Sequence, residues 1–315
     1  MANAREIQER MKSIQDTMKI TNAMYMISST KLRKAKKELA ETEPYFFTLQ
    51  GMLARIIRHL PEVQHRFLSD EKEASGEKKK AFLVVTADKG LAGAYNHNVL
   101  KIAEEELEKC SQSHLLVVGE VGRQYFHSRK IPVDEHFLYT AQNPTMHRAR
   151  VITGKVLSLY ESGKVDEVYM IYTSMKNGLQ TETNEIQLLP IKKSIFQTEK
   201  IPMDMLQEEF FYRPSLEAVL NSVIPNYIGG YIYGALVESY CSEHNARMVA
   251  MQAANDSAQA MIHALSVEYN RVRQAAITQE ITEVIAGAKA QKRKKQKKLE
   301  KRKQETFQKE FEIRC

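Results

Sequence analysis

Two glycine pairs are the first places where this chain could do chemistry. Gly90 and Gly93 lie in Asp88-Lys89-Gly90-Leu91-Ala92-Gly93, after an apolar run and before a helical pattern. A strand feeding a helix in that way can cradle a phosphate on its backbone N–H groups. The spacing matches neither G-x-G-x-x-G nor G-x-x-x-x-G-K-[ST]. Gly119-Glu120-Val121-Gly122-Arg123 departs from both as well, and its glutamate would repel a phosphate. Such glycines are expected to serve tight turns. The histidines His97, His114, His127, His136 and His147 show no H-x-x-x-H or H-E-x-x-H spacing. No Ser or Cys occupies a G-x-S-x-G elbow, and Glu104, Glu105 and Glu106 read as a solvated helix face. Cys110, Cys241 and Cys315 are far apart and odd in number, which fits reduced thiols in a cytosolic setting. No catalytic residue, metal ligand set or cofactor-binding residue is expected.

The elements carrying these residues alternate. Ala81–Ala87 and His114–Gly119 are buried-strand signals; Val133–Tyr139 is a weaker third. Glu167–Met175 and Thr183–Leu189 are strand-like, and helical patterns occupy Val99–Lys109, Val121–Ser128 and Met146–Glu161. Strands alternating with helices predict a small, parallel-rich, Rossmann-like α/β domain whose last strand runs antiparallel. The charged linker Ser69–Lys80 precedes it.

On either side the period changes to that of a coiled coil. Stepping by fours and threes from Ile7 gives Met11, Ile14, Met18, Thr21, Tyr25, Ser28, Leu32, Ala35, Leu39, Thr42, Phe46, Leu49, Leu53, Ile56 and Leu60. From Leu216 the same step gives Leu220, Val223, Tyr227, Gly230, Gly234, Val237, Cys241, His244, Met248, Met251, Asn255, Ala258, Ile262, Leu265, Tyr269, Val272 and Ala276. Most of these are apolar or small, and the step averages 3.5 residues. A helix of the second length spans on the order of 100 Å. It cannot be a core element wrapped on all sides, so a rod with a partner along its seam is expected. Asn3 and Glu6 read as a capping box, and Pro44 predicts a bend without an end. Gly230 and Gly234 are expected to let backbones approach closely, at roughly 1 kcal/mol each in helix propensity.

The fold expected is therefore α/β with long helices: an antiparallel two-helix coiled coil made by the termini, with the α/β domain inserted between its arms. The divisions are an N-terminal helix (1–60), a linker (61–80), the inserted domain (81–205), a linker (206–213), a C-terminal helix (214–288) and a basic extension (289–315). Between Lys289 and Lys303 ten basic residues face one acid, Glu300, a local charge of +9; the rest of the chain sums to −2 of the formal +7. No stretch approaches the ~20 apolar residues that cross a bilayer, and the opening residues carry no apolar signal region. Membrane association is expected only through other proteins.

Three runs resemble the gamma subunits of bacterial F-type ATP synthases. They are AREIQERMKSIQDTMKITNAMYMISSTKLRKAKK (Ala4 to Lys37), SEHNARMVAMQAANDSAQAMIHALSVEYNRVRQAAITQEITEVIAGA (Ser242 to Ala288) and the turn ADKGLAGAYNHNV (Ala87 to Val99). The resemblance implies a non-catalytic central-stalk rotor that carries torque between a membrane c-ring and a head of three alpha and three beta subunits. It implies contacts with the epsilon subunit and the c-ring at the foot, on the cytoplasmic face of the membrane; the coupling ion, proton or sodium, touches other subunits.

Carried residue by residue, the similarity places Arg273, Gln274, Thr278, Gln279, Glu280 and Glu283 against loops of the beta subunits. Met24, Lys31, Arg33 and Lys34 would face acidic loops of the same head. Ile277, Ile281 and Val284 would ride in an apolar sleeve, a bearing with few directional bonds to break. Phe210, Phe211, Tyr212 and Arg213 would form the foot. There the family commonly has Tyr-Glu-Pro where this chain reads Tyr212-Arg213-Pro214, a reversed charge that calls for a compensating acid or an aromatic contact. The basic extension is a second departure: a block of like charge is expected to fray, and the sharper alternative is a segment that contacts the delta subunit or the acidic mouth of the head. Two rivals remain in view: a coiled-coil binding module with a nucleic-acid-binding tail, and an enzyme using the inserted domain.

Overall fold

The computed structural model describes residues 4–60, 62–70, 78–176, 180–197 and 212–312. Two compact units emerge, and two helices contribute to both: α1 (Ala4–His59) and α6 (Leu216–Glu312). The larger unit spans Asn22–Ala253; the smaller combines the residues up to Thr21 with those from Ala254 onward.

The larger unit is built on a four-stranded sheet of β2 (Lys80–Val85), β3 (Ser113–Val118), β4 (Glu167–Met175) and β5 (Thr181–Leu189), in the order β3-β2-β4-β5. The first three are parallel, and β5 returns antiparallel beside β4. The near-continuous apolar runs of β2 and β3 have a simple cause: both faces of the sheet are covered. Phe82, Val84, Leu115, Val117 and Ile171 pack beneath α2 (Tyr95–Glu108) and Phe126 of α3 (Glu120–Ser128). Leu83, Val85, Leu116, Val118 and Met170 face the other way, into a core shared with α4 (Met146–Glu161), α1 and α6. Thr145 caps α4, its hydroxyl oxygen accepting the Arg148 N–H at 3.3 Å. A two-residue parallel pair, β1 (Leu68–Ser69) with β6 (Ile191–Lys192), and the turn α5 (Ser194–Gln197) complete the unit.

Three expectations need correction. Val133–Tyr139 is not a strand: it makes one isolated bridge, Val118 to Tyr139, because the Asp134 carboxylate turns back to accept the His136 N–H and breaks the ladder. Nor is α6 free of wrapping. Between Ile228 and Arg247 nearly every side chain is buried, since α1 covers one face and the sheet with α4 covers the other. The helix also does not stop near Gly287; its backbone is helical through Glu312.

Within this unit the pairing of α1 and α6 is antiparallel. Phe46 meets Gly230 and Tyr233, Thr42 hydrogen-bonds Tyr233, and Lys36 lies by Cys241, so numbers rise on one helix as they fall on the other. Pro44 lies inside α1, which continues past it. The two seam glycines differ. A Cβ on Gly230 would overlap the Phe46 ring, whereas one on Gly234 would meet nothing within 4 Å. Gly234→Ala should therefore gain up to about 1 kcal/mol of helix propensity, while Gly230→Ala loses stability unless Phe46 is also shortened. Thermal unfolding of the two variants and of Gly230→Ala with Phe46→Leu reads the difference.

In the smaller unit Ile7 is buried and Met11, Ile14, Met18 and Thr21 are half-buried, opposite Asn255, Ala258, Ile262, Leu265, Tyr269 and Val272. The Thr21 hydroxyl donates to the Asn255 side-chain oxygen. Beyond Val272 every described side chain, through residue 298, is exposed. Asn3 of the expected capping box lies outside the described residues.

Candidate functional site

In open α/β sheets a ligand binds at the carboxyl ends of the strands, where the chain reverses its direction of winding. Here that point lies between β2 and β4: one crossover leads from β2 to β3 on one side, the next from β3 to β4 on the other. The chain fills the crevice itself. Beyond the end of β2, the Thr173 N–H of β4 donates to Ser239 Oγ at 3.3 Å, and the Ser239 hydroxyl bonds back to the Thr173 carbonyl at 3.4 Å. One and two turns further along α6 lie Glu243 and Arg247, joined at 2.7 Å and each more than nine-tenths buried. Arg247 also donates to the carbonyls of Lys89 and Gly90, at 3.3 and 3.1 Å.

The position a phosphate would take is occupied too. The Asp88 carboxylate accepts the Glu120 N–H at the start of α3 at 3.1 Å, and the Ala141 and Gln142 N–H groups at 3.0 and 3.2 Å. The next N–H groups of α3 are taken as well, Val121 by the Ala87 carbonyl at 3.1 Å and Arg123 by the Gly119 carbonyl at 3.4 Å, which leaves this helix N-terminus little to offer a phosphate. Gly119 and Gly122 serve packing instead. The Gly122 N–H donates to Thr86 Oγ1 at 3.0 Å, and Thr86 donates through its N–H and its hydroxyl to the Val118 carbonyl, both at 2.9 Å.

Electrostatics follows from this burial. Desolvation holds the Glu243 carboxyl above the usual carboxylate range although Arg247 and Lys31 pull the other way. His244 is pushed down to about 4, by burial first and then by the cations Arg247 and Lys31. Its Nδ1 therefore accepts from Arg247, at 3.3 Å, and its ring sits edge-on to Tyr240 at 4.4 Å. Burial also keeps the Tyr95 phenol protonated far above its ordinary range. These groups form a latch between the inserted domain and α6. The sequence did carry a signal for it: Ser239, Glu243 and Arg247 recur every four residues on a face otherwise apolar.

The residues implied by the resemblance divide between the units. Met24, Lys31, Arg33 and Lys34 are on α1 in the larger one; Met24 and Lys31 are half-buried, Arg33 and Lys34 exposed. Lys34 pairs with Glu38 at 3.7 Å, and the charge of Lys31 acts inward on Glu243. In the smaller unit Arg273, Gln274, Thr278, Gln279, Glu280 and Glu283 are all exposed. Thr278 donates to the Gln274 carbonyl at 2.8 Å, and the Gln279 amide donates to Glu283 at 3.0 Å. Ile277, Ile281 and Val284 are 46%, 55% and 72% exposed, and Ile285, which the sequence reading passed over, belongs with them at 50%. At the foot Tyr212 packs on the main core and Arg213 is exposed; Phe210 and Phe211 lie outside the described residues. Among the described residues no cluster of His, Cys, Asp and Glu could hold a metal ion, and no helix is long and apolar enough to cross a membrane.

Against known proteins, a family model described as ATP synthase matches residues 3–291. The ATP synthase gamma chain of Ruminiclostridium cellulolyticum is 45% identical over 290 residues, 91% of this chain and 98% of that one. The sodium-ion-specific gamma chain of Acetobacterium woodii is 36% identical, with the same coverage of both chains. Among solved structures, a chain of the Euglena gracilis mitochondrial ATP synthase OSCP/F1/c-ring assembly superposes with a TM-score of 0.61 at 15% identity, over 91% of this chain and 94% of that one. A chain of the Tetrahymena thermophila central stalk/c-ring structure gives 0.55 at 24% identity, over 75% and 99%.

Proposed function

From the premise that this chain belongs to the ATP synthase gamma-chain family, we propose that it is the central-stalk rotor of an F-type ATP synthase. It carries torque between a membrane-embedded c-ring and a head of three alpha and three beta subunits, with an epsilon subunit beside it at the foot. The chemistry of ATP belongs to the head. The rotor works on the cytoplasmic face of the membrane and meets the bilayer only through its partners.

The observation that carries this reading is the run of α6 beyond Val272. Its described side chains are exposed all round, and they include four large apolar residues within nine positions. Large apolar residues gathered on an exposed stretch of helix mark a surface that another protein covers. Ile277, Ile281 and Val284 are the sliding contact, and Arg273, Gln274, Thr278, Gln279, Glu280 and Glu283 present polar groups to the catalytic subunits. A single helix is also asymmetric about its own axis, so three sites around it meet three different surfaces at any instant. On the other arm Met24, Lys31, Arg33 and Lys34 face acidic loops, and Tyr212 and Arg213 face the ring.

Co-expression with alpha and beta subunits from the same source tests the assignment. One copy of this chain should purify with three of each; recovery of the chain alone, or in another ratio, would defeat it. Within such a complex Ile281→Lys should lower steady-state ATP hydrolysis about tenfold, since the ammonium must be desolvated in an apolar sleeve. The same substitution should leave the melting temperature of the isolated chain unchanged, because the side chain is exposed there. Unaltered hydrolysis would remove Ile281 from the bearing.

A further inference from the structure

The basic segment at the end of α6 lies almost wholly beyond the family match, which stops at residue 291. Yet the helix does not stop there: its backbone continues through Glu312. Lys289, Lys292, Arg293, Lys294, Lys295, Lys297 and Lys298 are all exposed, and no ion pair holds any of them among the described residues.

Such a helix works against itself. Like charges at i,i+3 and i,i+4 destabilise a helix, and this stretch has them at 289/292, 289/293, 292/295, 293/297, 294/297, 294/298 and 295/298. Counter-charge removes the repulsion. We infer that residues 289–303 are a docking segment for a carboxylate-rich protein surface on the stationary part of the complex, which neutralises the helix as it binds. The inference rests on the rotor reading, because that reading is what brings a stationary surface near.

A protein surface is favoured over nucleic acid by position. Lys289 follows Val284 by five residues, about 8 Å of helix, so a bearing seated in the head delivers the segment to protein first. Tethering then raises the effective concentration of any acidic surface there, without new contacts elsewhere. The composition suits a moving contact. Eight of the ten basic residues between 289 and 303 are lysines, flexible point charges that hold a carboxylate without the fixed fork of arginine. Attraction of this kind centres a turning helix and does not lock its angle.

A zero-length carbodiimide, which joins a lysine amine directly to a carboxylate, reads the partner's chemistry. In the assembled complex at 0.1 M salt, mass spectrometry should find links from lysines of 289–303 to Asp or Glu of another subunit. At 1 M salt the screening length falls from about 10 Å to about 3 Å, and the yield of those links should drop at least fivefold. Replacing Lys292, Lys294, Lys295, Lys297 and Lys298 by Gln should do the same at low salt while one chain still joins three alpha and three beta. A complex that assembles in that ratio but gives no tail links, or gives links indifferent to salt, overturns this inference and leaves the rotor reading standing. Failure to assemble overturns the rotor reading instead. Tail-dependent retention of the complex on DNA, without links to any subunit, assigns the segment to nucleic acid and overturns the proposal.

Discussion

Arg247→Met should unfold the larger unit more readily than any other single truncation on α6. The guanidinium answers Glu243 at 2.7 Å beneath the surface and reaches the carbonyls of the exposed residues Lys89 and Gly90 at its edge. Removing it strands a buried carboxylate and unties the Lys89–Gly90 turn from α6. Breaking a buried ion pair from one side costs about 3–5 kcal/mol, which for a unit of this size lowers the melting temperature by roughly 10 °C. Replacing Glu243 by Met as well should recover much of the loss, since the uncompensated charge goes with it. The deficit should also depend on pH. Glu243 already has a folded pKa above its unfolded value, and losing Arg247 raises it further. A carboxyl raised in the folded state favours folding when protonated, so the variant should regain stability as pH falls through that folded pKa. His244 acts in the same sense: without the neighbouring cation its depressed pKa rises, and protonating it in acid becomes less disruptive. Thermal unfolding of the parent, single and double variants at pH 5 and 8 measures all of this. A loss under about 1 kcal/mol at pH 8 would refute the latch.

Gly119→Ala comes next in size. The residue has φ +96° and ψ 143°, a region that side chains other than hydrogen rarely enter. An added Cβ would overlap the Thr86 carbonyl oxygen and stand 2.7 Å from its carbon and from Oγ1. Thr86 cannot retreat, since its N–H and hydroxyl both hold the Val118 carbonyl. Strain and overlap together should cost roughly 3 kcal/mol or more. Gly90→Ala is the control: an added Cβ there meets nothing within 4 Å, and the change should stay within about 1 kcal/mol. Chemical denaturation of both variants compares them. Equal effects would mean that the two glycine pairs do the same work.

Those glycines mark where sequence reading ran out. Neither pair matches a phosphate-binding spacing, and that much was legible. The reason was not: Asp88 fills the anion position, and the Gly119–Gly122 turn exists to clasp Thr86. Both facts join residues more than thirty apart in sequence, and no local pattern encodes such a meeting. The coiled-coil seam fared differently. From Ile7 to Leu60 and from Leu216 to Val272 every seam position is buried or half-buried, because a period of 3.5 on two helices is enough to choose the faces that meet.

The family-implied contacts stand between these cases. Ile277, Ile281 and Val284 are exposed, and the bearing proposed for them comes from the resemblance, since periodicity assigns them no partner. Lys31 adds a case of its own: half-buried on α1, it lies close enough for its charge to act on Glu243 of the other helix, a meeting that no local pattern encodes.

What the amino-acid order determined by itself was whatever depends on spacing: two long amphipathic seams, strands alternating with helices between them, and a concentration of charge at one end. Tertiary structure decided the rest. Only packing shows that α6 has a second buried face between Ile228 and Arg247, or that its Ser239, Glu243 and Arg247 occupy the crevice where other α/β sheets take a ligand. Periodicity reports which side of a helix avoids water, a property of neighbours along the chain. Filling that crevice depends on which strands end beside which helix, and that is settled by shape and charge once the whole unit has closed.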